Sequence, residues 1–184
     1  MKIYHAQVNP LENPVGFRME RTVFSWKIKE AKGKQQSYAR IRVSSDEAME
    51  HLLFDSGEDT KASSLCYPVK LKLEPRTRYY WTVEAGSDAG EKAVSEVQFF
   101  ETGKREEAWS AKWISCSSEE KRHPYFEKKI IPVKEVAKAR LYICGLGLYE
   151  VFVDEKHVGN EYLTPYSNDY NEWVQYQTYD VTEE

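Results

Sequence analysis

The chain has 184 residues, 41% of them hydrophobic and 30% charged, with 26 Lys and Arg against 30 Asp and Glu for a formal net charge of −4. Such a composition supplies packed cores, and no apolar run approaches the roughly 20 residues a membrane helix needs, which excludes a membrane partner of that kind. The two signs of charge are interleaved, which excludes a phosphate-binding face and with it nucleic acid.

Two domains of about 100 residues fit this length. The opening residues 1–7 carry polar side chains where a signal peptide has its continuous apolar core, so no cleaved leader is expected. Cys66, Cys116 and Cys144 are odd in number and widely spaced. They fit neither a disulfide framework nor zinc-ligand spacing, and a reducing, cytoplasmic setting is expected.

Period-two alternation dominates the first hundred residues in short blocks, which predicts strands buried on one face. A first strand falls at residues 4–8, and Phe24, Trp26 and Ile28 then alternate with Ser25, Lys27 and Lys29. Ala39, Ile41 and Val43 follow, then residues 46–51 as a weak helix and residues 52–54 as a short strand. Leu71 and Leu73 alternate with Lys70 and Lys72, Tyr79, Trp81 and Val83 with Tyr80, Thr82 and Glu84, and a last block runs from Val94 to Phe99. About seven strands with turns at Asn9-Pro10, Asn13-Pro14, Asp55-Ser56-Gly57 and Ser87-Asp88-Ala89-Gly90 describe an immunoglobulin-like sandwich.

The run Leu73-Glu74-Pro75-Arg76-Thr77-Arg78-Tyr79 resembles the Leu-x-Pro-x-Thr-x-Tyr pattern of fibronectin type III domains. In that pattern a Tyr buries its ring at the sandwich end and bonds its hydroxyl back to the backbone, a role expected of Tyr79, with Trp26 as core filler.

Gly103 and mixed charges then mark a break, giving a first domain at residues 1–104, a linker at 105–112 and a second domain at 113–184. Trp109 and Trp113 lie four apart and would share one face of a strand, packing the domains together or, alternatively, forming a platform for a sugar ring. Further strands are expected at residues 125–131, 139–144, 148–153 and 173–179, with a hairpin whose tip spans residues 154–156.

With these motifs assembled, the chain resembles the N-terminal region of bacterial α-L-rhamnosidases of glycoside hydrolase family 78. The resemblance rests on Asn13-Pro14-Val15-Gly16, Phe24-Ser25-Trp26, Arg78-Tyr79-Tyr80-Trp81-Thr82-Val83, Phe99-Phe100-Glu101-Thr102-Gly103, Trp109-Ser110-Ala111-Lys112-Trp113-Ile114 and Gly145-Leu146-Gly147-Leu148-Tyr149 with its sequel to Thr182. It implies an all-β chain: a fibronectin-like sandwich followed by an incomplete, jelly-roll-like second sandwich. It also implies a much longer parent whose helical (α/α)6 barrel hydrolyses terminal α-L-rhamnosides with inversion, using two carboxyl groups roughly 6.5 to 9.5 Å apart.

No catalytic pair is nominated here, because the carboxylates sit on strand exteriors and turn tips where they keep ordinary acidity. The four histidines lack metal-ligand spacing, and no Gly-x-Ser-x-Gly, phosphate loop or Cys-x-x-Cys occurs.

One cluster carries site chemistry: Asn168, Asp169, Tyr170, Asn171 and Trp173. Their oxygens could serve a rhamnosyl sugar or Ca²⁺ and their rings could stack on a pyranose, while the plainer reading is a polar loop of turn-capping residues. The family often has Gly-Trp-Thr-Asp-Tyr after Leu-x-Pro, and here Tyr166-Ser167-Asn168-Asp169-Tyr170 stands instead. Three functions follow: the non-catalytic head of a rhamnosidase bound to its barrel, a free-standing carbohydrate-binding module, or a protein-interaction module. The apolar faces carrying Leu141, Ile143, Tyr149 and Val151 need a cover, so self-association of the isolated chain is expected.

Overall fold

The computed structural model describes residues 1–117 and 123–183. Among the described residues thirteen strands occur and no helix. The chain divides into two compact units, Met1–Glu106 and Glu107–Glu184.

The first unit holds nine strands: β1 (Lys2–Val8), β2 (Val15–Phe17), β3 (Thr22–Lys29), β4 (Gln36–Ser44), β5 (Leu52–Asp55), β6 (Tyr67–Val69), β7 (Arg78–Ser87), β8 (Lys92–Val94) and β9 (Gln98–Thr102). One sheet runs β1-β3-β6, and the other runs β2-β9-β7-β4-β5 with β8 on the edge of β7. Two short strands exceed the expected seven. β2 runs parallel to β9, and β8 shares β7 with β9.

Alternation in the sequence becomes burial in the sheets, because successive side chains point to opposite faces. Phe24 and Trp26 from β3 meet Ile41 and Val43 from β4, Trp81 and Val83 from β7 and Phe100 from β9, all of them buried. The Phe24 and Trp81 rings lie 4.5 Å apart, and Tyr79 stacks on Phe100 at 5.3 Å. Each such side chain withdraws apolar area worth about 1.5–3 kcal/mol as an upper figure. The Trp26 indole N–H donates to Gln36 Oε1, whose amide donates in turn to the Ala62 carbonyl, so this ring is core filler with its polar end satisfied.

The sandwich end is tied as the sequence pattern suggests. The Tyr79 hydroxyl accepts the Glu74 N–H at 2.8 Å. Thr77 Oγ1 donates to the Pro75 carbonyl, and Thr102 Oγ1 donates to that of Glu74. On the outward face Arg40 grips both oxygens of Asp55, while Arg42 and the Tyr38 hydroxyl converge on Glu84. Gly86 lies under the Tyr38 ring, which a Cβ would overlap.

Two expected elements of this unit are replaced. Residues 46–51 form a turn: the Asp46 carboxylate takes the Glu50 and His51 N–H groups and Met49 sits at φ 60°, a left-handed conformation that ends a helix. Leu71 and Leu73 lie beyond the strand, which is Tyr67–Val69, because its partner β3 begins at Thr22 opposite Val69 and the ladder ends there. Leu73 still reaches the core from the loop.

Among its described residues the second unit carries four strands in two separate ladders: β10 (Arg140–Cys144) with β13 (Tyr176–Asp180), and β11 (Phe152–Val153) with β12 (Lys156–His157). Residues 125–131 form no strand, because the ladders contain no strand that pairs with them. The expected strand at 148–153 shrinks to its last two residues, since the Tyr149 N–H is drawn to the Thr164 carbonyl. That at 173–179 begins only at Tyr176. The hairpin tip is also shorter than expected: Asp154 and Glu155 alone form it, at φ 46° and 68°. Two successive left-handed residues match right-twisted strands, so the tight turn forms without Asn-Gly.

Replacing Tyr79 by Phe strands the Glu74 N–H, and chemical denaturation is expected to show a loss of about 1–3 kcal/mol. A second expectation concerns acid. The hydrogen bonds from Arg40 hold the Asp55 carboxyl down at about 2. A depressed folded value means stability present above the unfolded value near 3.9 and lost as pH falls toward about 2. Unfolding midpoints are expected to drop across that window, and Asp55→Asn to flatten the drop.

Candidate functional site

The loop between β12 and β13 holds all five residues singled out in the sequence. It leaves β12 through Val158, which is buried, and is fastened at Thr164, whose carbonyl accepts the Tyr149 N–H at 3.1 Å. Tyr149 is itself fixed, donating its hydroxyl to Gln177 Oε1 on β13 at 2.6 Å, and burial pushes its phenol above the usual range. Gly145 leaves room for that ring, since a Cβ there would sit 2.5 Å from Tyr149 Cδ1.

Beyond Pro165 the chain makes a turn over residues 170–172. Asp169 Oδ1 accepts the Asn171 backbone N–H at 3.0 Å and the Asn171 amide at 3.1 Å. The Asp169 carbonyl accepts the N–H groups of Glu172 and Trp173, and the Asn168 amide donates to the Trp173 carbonyl. Asn168, Asp169 and Asn171 are therefore brought together, in hydrogen bonds that close their own turn.

The rings are not brought together. Tyr170 and Trp173 are 38% and 56% exposed and make no ring contact among the described residues. Trp109 packs edge-on against Tyr176 at 5.5 Å, and Trp113 is exposed. Residues 107–117 form no strand, so these two indoles do not share a strand face as expected.

The loop does not fit Ca²⁺, which takes six to eight oxygen ligands. It offers one Asp and two Asn side chains at its centre, with one carboxylate oxygen already accepting two N–H groups. Among the described residues no group of three or more His, Cys, Asp or Glu is placed to hold a metal.

Sequence reasoning missed two features of the carboxylates. Glu101 is fully buried, accepting from Arg78 Nε at 3.0 Å, and Arg78 also lies 4.1 Å from the Phe99 ring centre. Asp46 and Asp55 are more acidic than usual, Asp46 through the Ser44 hydroxyl and the backbone N–H groups of its turn. Nothing in the sequence signalled Glu101, whose burial follows from the β7-β9 register that sets it opposite Arg78.

Two family models match in order along the chain. The first, described as a Rha78A-like N-terminal immunoglobulin domain, matches residues 3–106. The chain belongs to this family. The second, the α-L-rhamnosidase N-terminal domain, matches residues 134–184. An α-L-rhamnosidase of Formosa agariphila is 32% identical, over 96% of this chain and 22% of its own length. One of Alteromonas sp. is 30% identical, over 92% of this chain and 20% of its own. Among solved structures, an α-L-rhamnosidase from Dictyoglumus thermophilum superposes with a TM-score of 0.81 at 28% identity, covering 100% of this chain and 23% of that one. The chain thus spans about a fifth of the length of these relatives.

Asp169→Ala is expected to speed hydrogen exchange at the Asn171 amide while leaving the unfolding midpoint of the first unit unchanged, as a turn-closing role requires. Measurement by NMR exchange distinguishes this from a change spread through the chain.

Proposed function

We propose that this chain is the non-catalytic N-terminal part of an α-L-rhamnosidase, which supports and orients a catalytic domain elsewhere in a longer polypeptide. The carrying observation is the ordered pair of matches to rhamnosidase N-terminal domains, at residues 3–106 and 134–184, in relatives some five times as long. The architecture supports the same reading. The first unit has a closed core, whereas Val158 and Pro165 are the buried apolar side chains among the described residues of the second. A surface of that kind suits contact with more protein. Self-association of the isolated chain through its second unit, and a cytoplasmic setting for three unpaired cysteines, belong to this proposal.

The hydrolysis itself, with inversion at a terminal α-L-rhamnosyl bond, is assigned to the parent. Purified residues 1–184 are expected to release no chromophore from an aryl α-L-rhamnoside, while the natural polypeptide containing them does so. Turnover by the 184-residue chain would overturn the assignment.

A second reading, rhamnoside binding at residues 168–173, is favoured by the exposed Trp173 and Tyr170 rings beside amide and carboxylate groups. Against it stand the hydrogen bonds that already engage Asn168 and Asp169. Calorimetric titration of the chain with L-rhamnose is expected to give no saturable heat below millimolar concentration; a sub-millimolar Kd would establish the second reading.

A further inference from the structure

The register of β1 on β3 gathers charges that the sequence keeps apart. In that antiparallel ladder Lys2 stands opposite Lys29 and Tyr4 opposite Lys27, while Ile3 and Ile28 between them turn toward the core. Side chains alternate between the two faces of a sheet, so Lys2, Tyr4, Lys27 and Lys29 share the outer face of the β1-β3-β6 sheet. All four are exposed. Lys29 Nζ lies 5.4 Å from the centre of the Tyr4 ring, which places ring and cation in one patch.

Lysines directly opposite each other repel, so the Lys2 and Lys29 pair is unfavourable until an anion joins it. Among the described residues Lys2 and Lys27 have no carboxylate partner, and Lys29 has Glu30 at 3.8 Å. Next along β1, the exposed His5 is occupied by Glu12. The patch therefore holds two uncompensated ammonium groups and a third shared one around an aromatic ring, on a chain whose formal net charge is −4.

We propose that this patch binds a polyuronate, an acidic polysaccharide carrying single carboxylates on its sugar rings. The inference rests on the reading of the chain as part of a rhamnosidase, which makes a glycan the ligand class, and it adds the polymer on which the enzyme is held. Charge complementarity sets the sign of the ligand. Neighbouring positions lie about 5 Å apart across a ladder and about 7 Å apart along a strand, and each Lys is a point charge on a flexible stem. Cations dispersed in this way suit one carboxylate per ring, whereas a densely charged polymer is repelled by the rest of a net-negative chain. Tyr4 offers its ring to the apolar face of a pyranose.

Calorimetric titration of the 184-residue chain with a short oligogalacturonate tests this. Saturable binding is expected at low ionic strength, weakened by added salt, with no heat from a neutral dextran oligosaccharide. Replacing Lys2, Lys27 and Lys29 together by Gln is expected to weaken binding by roughly tenfold or more. The same charge loss at Lys112, Lys128 and Lys129, exposed lysines of the second unit, is expected to leave it unchanged. Tyr4→Ser, which alters no charge, is expected to weaken it severalfold, and all three variants are expected to keep the Tm of the parent chain. Equal losses in the two triple variants, or an unchanged Kd for Tyr4→Ser, would reduce the effect to general charge attraction and overturn the site. Tighter binding of dextran sulfate or of a single-stranded oligonucleotide than of the oligogalacturonate would overturn it too. Binding by the short chain that is lost in the natural polypeptide would assign the lysines to contact with more protein and contradict the proposal. None of these results touches the parent assignment, which stands or falls on aryl rhamnoside hydrolysis by the natural polypeptide.

Discussion

Everything in this chain follows from one requirement, that the apolar face of a β-ladder be covered by something other than water. In the first unit the cover is internal: β3 lays Phe24 and Trp26 onto the inner face of β4, β7 and β9, and Trp81 and Phe100 close over them. Once those rings are placed, the remaining devices have only to secure ends and edges. Tyr79 ties the chain back at Glu74, Asp46 holds its turn, and the Arg40–Asp55 and Arg42–Glu84 pairs occupy the wet face. The pairs are partly exposed and contribute little to stability, but they fill the outer face with charge.

The second unit meets the same requirement differently. Its ladder of β10 and β13 aligns Leu141 with Tyr179 and Ile143 with Gln177, yet Leu141, Ile143 and Tyr179 stay only half-buried. Tyr149 supplies part of the cover through its bond to Gln177. What remains open is consistent with the proposed place of this unit in a larger enzyme.

Legibility in the sequence tracks how locally each feature is determined. The alternations around Trp26, Ile41 and Trp81 announce strands because burial on one face is written at period two, and the Pro75-Thr77-Tyr79 spacing announces the corner because one short segment makes it. Strand ends were less legible. Residues 125–131 have strand composition and no partner ladder, and Leu71 lies past Thr22, where β3 begins. Both outcomes depend on distant backbone that composition does not encode. The two-residue tip at Asp154 and Glu155 was hidden because neither residue is the Asn or Gly that usually signals left-handed backbone. Glu101 was hidden because its burial depends on the β7-β9 register that sets it beside Arg78. At residues 168–173 the sequence gathered the right polar residues, but their use in closing a turn required the hydrogen bonds themselves.

The central claim is that the first unit carries its own core, whereas the described residues of the second bury few apolar side chains. Native-state hydrogen exchange on the 184-residue chain tests it most directly, because amide protection reports the free energy of the smallest opening that frees each group. The account predicts that amides of β4 and β7 exchange only through global opening of the sandwich, while those of β10 and β13 exchange orders of magnitude faster. Equal protection in the two ladders, in a monomeric sample, would contradict it.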